Sequence, residues 1–259
     1  MNRFRLRFGP SKVIIGMIHL PPLPGYPESP GIERVIRHAI GDLHTLESAG
    51  VDGVLVENEY DRPHRIRAEP ETIAAMTRIT RALVQESESA LIGCEILLND
   101  PKASLAVSEM ARASFIRTDY FVDRMVRPEY GEFEIDPDGL IDYRITIGAD
   151  DVLILADIQV KYATMVTPRS LAKSAKIAKD RGADAVIVTG SRSGDAPTPK
   201  ALRDAAQGLP VLVGSGLTAD NAVELLSACD GAIVGTSLMT NGCVDPEKIG
   251  RIMSLVRGE

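Results

Sequence analysis

One short pattern recurs four times along this chain and limits what it can fold into. Gly50-Val51-Asp52 leads into Gly53-Val54-Leu55-Val56, and Gly148-Ala149-Asp150-Asp151 leads into Val152-Leu153-Ile154. Gly182-Ala183-Asp184 precedes Ala185-Val186-Ile187-Val188, and Cys229-Asp230-Gly231 precedes Ala232-Ile233-Val234. A glycine after a helix supplies a left-handed cap, and an unbroken apolar, β-branched run is a strand buried on both faces. Each copy is therefore a helix-to-strand corner. Corners of one kind repeated along a chain signal alternating β and α elements with parallel pairing.

Filling the gaps between corners predicts eight strands. They fall near Val13–Ile18, Gly53–Glu57, Leu91–Leu97, Phe115–Thr118, Val152–Ile158, Ala185–Val188, Pro210–Gly214 and Gly231–Val234. Thr167-Pro168 and Thr198-Pro199 each place a capping hydroxyl before a proline at a helix start. Eight such units in 259 residues fit a single (β/α)8 TIM barrel, residues 1–259 forming one domain. A doubly wound open sheet shares the pattern. Leu20–Pro30 and Asp119–Asp138 read as long loops after strands rather than linkers.

Composition narrows the partners. A net charge of −7 argues against nucleic acid, whose phosphates demand a basic surface, and Trp is absent, which removes the best stacking platform. No run approaches the ~18 apolar residues of a membrane span. Met1 to Pro10 lacks the apolar core of a signal peptide, so cytoplasmic residence is expected. Cys94, Cys229 and Cys243 are far apart, and each is expected to be a small buried hydrophobe. Barrels of this size often pair, so a homo-oligomer is the base-rate expectation.

In a barrel the loops that follow the strands form the functional face. The seventh unit ends Gly214-Ser215-Gly216 and the eighth ends Gly235-Thr236-Ser237. A phosphate needs backbone N–H groups at close range, which glycines permit, and turns after strands seven and eight are where barrels commonly hold one. The sixth unit adds Gly190, Ser193 and Gly194, with Arg192 as a cation at the rim. The plainer reading is that these glycines only make tight corners.

Other strand ends are polar. Asp157, Gln159 and Lys161 alternate after strand five and share one face if the strand stays extended. A carboxylate and an amine there suit acid–base work, a Schiff base at the lysine, or a plain ion pair. Glu57 and Asn58 follow strand two, with Asp61 close behind, where a base or a loop-ordering group would stand. His19 ends strand one and is the histidine placed for chemistry; His38 and His44 fall in a helix, and His64 in a loop with a surface role. Asn99 and Arg117 complete the rim, Arg117 either pairing with Asp157 or meeting an anionic substrate. No cofactor motif is evident. Glu57, Asp61 and Asp157 are oxygen ligands of the kind that hold magnesium or manganese, though no spacing motif joins them.

Together these strand ends resemble the BtpA family. The likeness rests on Gly16-Met17-Ile18-His19-Leu20, Pro22-Leu23-Pro24-Gly25, Glu57-Asn58 and Asp61-Arg62-Pro63. It continues through Asn99-Asp100, Phe115-Ile116-Arg117, Ala156-Asp157-Ile158, Val160-Lys161, Gly214-Ser215-Gly216 and Asp230-Gly231-Ala232-Ile233-Val234-Gly235-Thr236. The resemblance implies a phosphate-binding TIM barrel, similar to those of amino-acid, thiamine and sugar-phosphate metabolism. It also implies a link to photosystem I biogenesis, from which the family takes its name. The chain departs from that family where histidines are expected, at Gln159 and Tyr162, and where an arginine is expected, at Leu98. Met239-Thr240-Asn241-Gly242 replaces a lysine-and-aspartate turn.

Two functions follow as expectations. The first is an enzyme acting on a phosphorylated small metabolite, a sugar phosphate or related compound, by lyase, isomerase or epimerase chemistry. Glu57, Asp157, Lys161 and His19 would handle protons. The second, resting on the family name, is an assembly factor for photosystem I.

Overall fold

The computed structural model describes residues 2–192 and 194–258. Eight parallel strands close into a barrel: β1 (Val13–His19), β2 (Gly53–Glu57), β3 (Leu91–Glu95), β4 (Phe115–Thr118), β5 (Leu153–Ile158), β6 (Ala185–Val188), β7 (Val211–Val213) and β8 (Gly231–Val234). Each strand pairs with its neighbours in sequence, and β1 closes the ring on β8 through Val13↔Gly231 to Gly16↔Val234. The open-sheet alternative is thereby removed. Strand β3 stops two residues earlier than its apolar run implied, because the chain turns after Glu95 into the loop that carries Asn99.

The recurring corners behave as their residues require. Gly50, Gly148 and Gly182 take φ of 78°, 75° and 85°, the left-handed region that favours glycine. The aspartates of three corners have a second task. Asp52 accepts from the amide of Ile14, Asp184 from that of Ile154 and Asp230 from that of Val211. Each satisfies a strand amide at the floor of the barrel. Thr198 caps its helix as expected, whereas Ser170 rather than Thr167 caps the helix Leu171–Asp180.

Alternation along each strand divides the core in two. Ile14, Ile18, Val54, Val56 and Ile154 face the surrounding helices. Val13, Ile15, Met17, Leu55, Phe115, Leu153, Leu155, Ile187, Leu212 and Ile233 fill the interior with Phe4. Phe4 belongs to a short helix, Arg3–Phe8, that sequence patterning did not reveal and that plugs the barrel floor. Phe8 meets Phe115 edge-on at 5.7 Å between ring centroids. Arg3 and Arg5 of this plug pair with Asp184 and Asp230, and Arg257 of the last helix pairs with Asp52. Cys94 and Cys229 are buried as expected, but Cys243 is exposed on a two-residue strand after β8.

Two excursions rise above the barrel rim. A hairpin after β4, Met125–Arg127 with Gly131–Phe133, pairs with Thr164–Met165 after β5 to make a small antiparallel sheet. Leu98, Tyr120, Met125, Phe133 and Val160 form its own apolar cluster, with Tyr120 and Phe133 stacked at 4.7 Å.

Truncating Phe4 to alanine empties the floor of the interior. Phe4→Ala is expected to destabilise the barrel by about 3 kcal/mol or more, read from the midpoint of urea denaturation. A loss under about 1 kcal/mol would show that the plug is an ornament.

Candidate active site

The interior residues of the eight strands decide what meets at the mouth. One step beyond the apolar layer of Met17, Leu55, Phe115, Leu155, Ile187, Leu212 and Ile233, the same inward faces continue as His19, Glu57, Arg117, Asp157, Thr189, Gly214 and Gly235. Strand β3 contributes Glu95, two residues past Gly93. Five adjacent strands therefore bring ionisable groups, while β7 and β8 bring glycines. The result is a cavity of about 660 Å³ with a charged wall and a wall of backbone turns.

His19, Glu57 and Glu95 stand in one row, paired in register as His19↔Glu57 and Glu57↔Glu95. The imidazole Nε2 lies 4.0 Å from Glu57 Oε1. Burial holds His19 below its ordinary value, which favours a neutral ring. Burial, together with the charge of Glu59, raises Glu57 to about 7, and the side chain of Glu95 bonds to it. Glu95 is raised well above the usual carboxylate range, again chiefly by burial. Two buried carboxyls in contact cannot both ionise, so the pair holds a proton between them near neutral pH.

Arg117 is the buried cation of the mouth. Its Nε donates to Asp157 Oδ2 at 2.8 Å and its Nη2 to Oδ1 at 3.1 Å, a two-pronged pair. Glu95 Oε2 lies 3.7 Å from the same Nε and has no hydrogen-bond partner among the described residues. Asp119, just past β4, also faces the cavity; burial and the charges of Asp157 and Glu95 push it up to about 8. Lys161 lines the cavity and adds positive charge beside His19 and Glu57.

Of the residues singled out from sequence, the structure brings His19, Glu57, Arg117 and Lys161 to the cavity. Asp157 lies fully buried beneath it, engaged by Arg117 rather than by Lys161. Gln159 does not share its face. It takes φ of 51°, which ends the strand's alternation, and its amide reaches Arg169 O and Ser174 Oγ. Asn58 and Asp61 order loops: Asp61 accepts from Leu23 N and Asn58, and Asn58 accepts from Leu97 N. Asn99 is buried away from the cavity lining, and Arg192 is an exposed loop residue. Glu57, Asp61 and Asp157 are thus not gathered. Among the described residues no group of three or more His, Cys, Asp or Glu side chains is arranged to hold a metal ion.

On the opposite wall, Gly194, Gly214, Ser215, Gly216, Gly235, Thr236 and Ser237 line the cavity. Gly190 lies behind them, its amide donating to Ser215 Oγ, which in turn donates to Asp195 O. Ser237 Oγ donates to Leu217 O, tying the eighth turn to the seventh. The amides of Gly216 and Leu217 have no acceptor among the described residues. Ser193 lies outside the described residues. A Cβ at Gly235 would crowd Met17 Sδ at 3.1 Å and the ring of His19 at 3.2 Å, so those side chains would have to give way slightly.

Residues 10–258 match the BtpA family. The chain belongs to that family. This BtpA-family chain is 37% identical over 249 residues to an uncharacterized protein of Archaeoglobus fulgidus, covering 95% of this chain and 99% of the other. It is 35% identical to the photosystem I biogenesis protein BtpA of Synechocystis, with 91% and 85% covered. Among solved structures it is similar to thiamine phosphate pyrophosphorylase from Pyrococcus furiosus, at a TM-score of 0.62, 16% identity and 98% coverage of each chain. Phosphoribosyl anthranilate isomerase from Thermus thermophilus gives 0.61 at 15% identity, with 95% and 98% covered. At such identities the likeness is one of fold. Among the described residues, no helix of the BtpA-family chain is long and apolar enough to cross a membrane.

Sequence reasoning missed Glu95 and Asp119. Glu95 carried a usable signal, because an apolar strand ended by glutamate is also the pattern of Glu57. Extending β3 to Leu97 hid it.

Two expectations test these electrostatics. Arg117→Met leaves Asp157 a buried charge without a partner and is expected to cost about 3–5 kcal/mol in urea denaturation; adding Asp157→Leu should recover most of it. For Glu57 the folded value of about 7 exceeds the ordinary 4.5, so the folded state binds the extra proton between them. Its contribution is full below the ordinary value and fades as pH rises through about 7. The native chain should therefore lose more stability than Glu57→Gln between about pH 5 and pH 8. Parallel curves would refute the shift.

Proposed function

We propose that this BtpA-family chain is an enzyme that acts on a phosphorylated small metabolite by moving protons. The observation that carries the reading is the division of the mouth: an acid–base wall on β1 to β5 faces a glycine-rich wall on β6 to β8 across one cavity. Backbone amides without acceptors, at Gly216 and Leu217, suit a phosphate, and small residues let it approach. The names of two proteins of similar fold, a thiamine phosphate pyrophosphorylase and a phosphoribosyl anthranilate isomerase, include phosphorylated compounds, which is consistent with the reading.

In this reading the phosphate sits against the seventh and eighth turns and the reactive carbons lie over Glu57 and Glu95. A pair sharing one proton offers a base and an acid at the same pH, which is what shifting a hydrogen between neighbouring carbons requires. One carboxylate removes a proton from carbon next to a carbonyl, and the electrons move onto the carbonyl oxygen. Lys161 stabilises that oxygen as charge develops. Return of the proton to the former carbonyl carbon, while the neighbouring hydroxyl passes its own proton to the first oxygen and becomes the new carbonyl, completes an isomerisation. Return to the same carbon from the opposite face, with the carbonyl restored, completes an epimerisation. Arg117, itself fixed by Asp157, sets a positive charge beside Glu95. Sugar-phosphate chemistry of the lyase, isomerase or epimerase class fits this set.

A second reading is favoured by one finding, the 35% identity to a photosystem I biogenesis protein. Under it the chain is an assembly factor and the mouth carries no turnover. The chain is as similar to a protein of Archaeoglobus fulgidus, so sequence likeness does not single out the photosystem.

A thermal-shift screen of phosphorylated metabolites separates the two. A selective rise in melting temperature that Gly235→Val abolishes is expected for the enzyme reading. Against a ligand found this way, Glu95→Gln should lower kcat by about a hundredfold or more while leaving the melting temperature of the ligand complex high. No shift with any phosphorylated compound would overturn the phosphate site and put the assembly reading ahead.

A further inference from the structure

His64 read from sequence as a surface loop residue, yet the structure gives it another place. It is 6% exposed, lines the cavity, and its Nδ1 has no hydrogen-bond partner among the described residues. A buried ring nitrogen without a partner, on a residue that lines a cavity, costs stability unless a ligand or water supplies one.

The surroundings say what kind of ligand. The loop after β2 is folded across the end of β3, with Leu98 N donating to Arg65 O and Arg67 paired with Asp100. This brings Arg62 and His64 towards the hairpin after β4, which contributes Arg127 to the same cavity wall. Arg127 Nε is buried with no hydrogen-bond partner, and its guanidinium lies 5.3 Å and 5.5 Å from the ring centroids of Tyr130 and Tyr162. Aromatic faces hold such a cation in one orientation while leaving its N–H edge for an acceptor. The acidic neighbours are Glu129, mostly exposed and 3.5 Å from Arg127, and Glu59, which pairs with Arg62. Burial first, then the charges of Arg62 and Arg127, hold His64 down at about 4. In the closed ring, β3 and β4 lie across from β7 and β8. The cluster therefore stands on the far side of the cavity from the glycine turns.

We infer that His64, Arg62 and Arg127 form a second anion-binding subsite, which takes a carboxylate or phosphate at the end of the substrate remote from the glycine turns. The inference rests on the mouth being a site for a phosphorylated metabolite and narrows its class. The substrate carries negative charge at both ends, as a phosphorylated sugar acid or a sugar bisphosphate does. The acid–base row lies between the two anchors, so the reacting carbons are those in the middle of the molecule. Holding both ends fixes those carbons over the row, which is how binding energy remote from the reacting bonds aids the chemistry.

The test reads His64 directly and then the substrate class. Acetate and inorganic phosphate are titrated in turn into the isotope-labelled full chain, and the imidazole resonances of His64 are followed by NMR across pH. Either anion should raise the His64 titration midpoint in the native chain and not in Arg127→Met. An unmoved His64, or an equal response in Arg127→Met, overturns the subsite. Binding of 6-phosphogluconate, fructose 1,6-bisphosphate and glucose 6-phosphate is then compared by calorimetry. The two compounds charged at both ends should bind at least about tenfold more tightly than glucose 6-phosphate, an advantage that Arg127→Met removes. Preference for 6-phosphogluconate assigns a carboxylate to the subsite, and preference for the bisphosphate assigns a phosphate. Equal binding of all three overturns the subsite but leaves the phosphate reading intact. Failure of all three to bind, with His64 still responding to acetate or phosphate, supports the subsite and defeats the phosphate reading instead.

Discussion

A guanidinium inside a barrel is costly unless its charge is met at close range, and Arg117 is met by both oxygens of Asp157. Much of the mouth depends on that pair. Asp157 neutralises the cation and leaves its remaining field to act on Glu95, which sits 3.7 Å away with one oxygen unpartnered. Gly214 leaves room for the arrangement: a Cβ there would meet Ile187 and Thr189 and come within 3.6 Å of Arg117 Nη2. The guanidinium thus reaches inward toward Met17 on the far strand, closing the polar layer over the apolar one.

Above that layer the electrostatics are graded. His19, Glu57, Glu95 and Asp119 are all displaced toward their neutral forms, and burial is the first cause each time. Glu57 and Asp119, raised to about 7 and about 8, can exchange protons with a substrate near neutral pH at little cost. The glycine turns opposite offer backbone dipoles instead of side chains. The two walls are suited to different parts of one molecule, charge transfer on one side and anchoring on the other.

The floor of the barrel is built from different materials and carries a different burden. Asp52, Asp184 and Asp230 each cap a strand amide and each take an arginine from a terminal helix, Arg257, Arg3 and Arg5 respectively. The two chain ends are thereby fastened to three separate corners. Stability gathered at the floor leaves the mouth able to carry buried acids that a stability-minded arrangement would avoid, a division common to barrels of this kind.

The sequence by itself determined the alternation of strands and helices, the glycine corners and, Glu95 apart, the positions where inward strand faces turn polar. These follow from local rules: apolar runs of strand length, left-handed caps and the period of two along an extended chain. It also carried the family, because motifs at successive strand ends survive in order along the chain. What only the tertiary structure decided is which polar residues meet. Gln159 belonged to the right alternation, yet one left-handed residue turned it outward, and no local pattern announces that. His64 and Arg127 lie 63 positions apart on loops without periodicity, and the folding of one loop over β3 brought both to the cavity. Asp157 found Arg117 rather than Lys161 because β4 and β5 are neighbours in the ring and their inward faces coincide. Periodicity is a property of neighbours along the chain, while charge compensation is a property of neighbours in space.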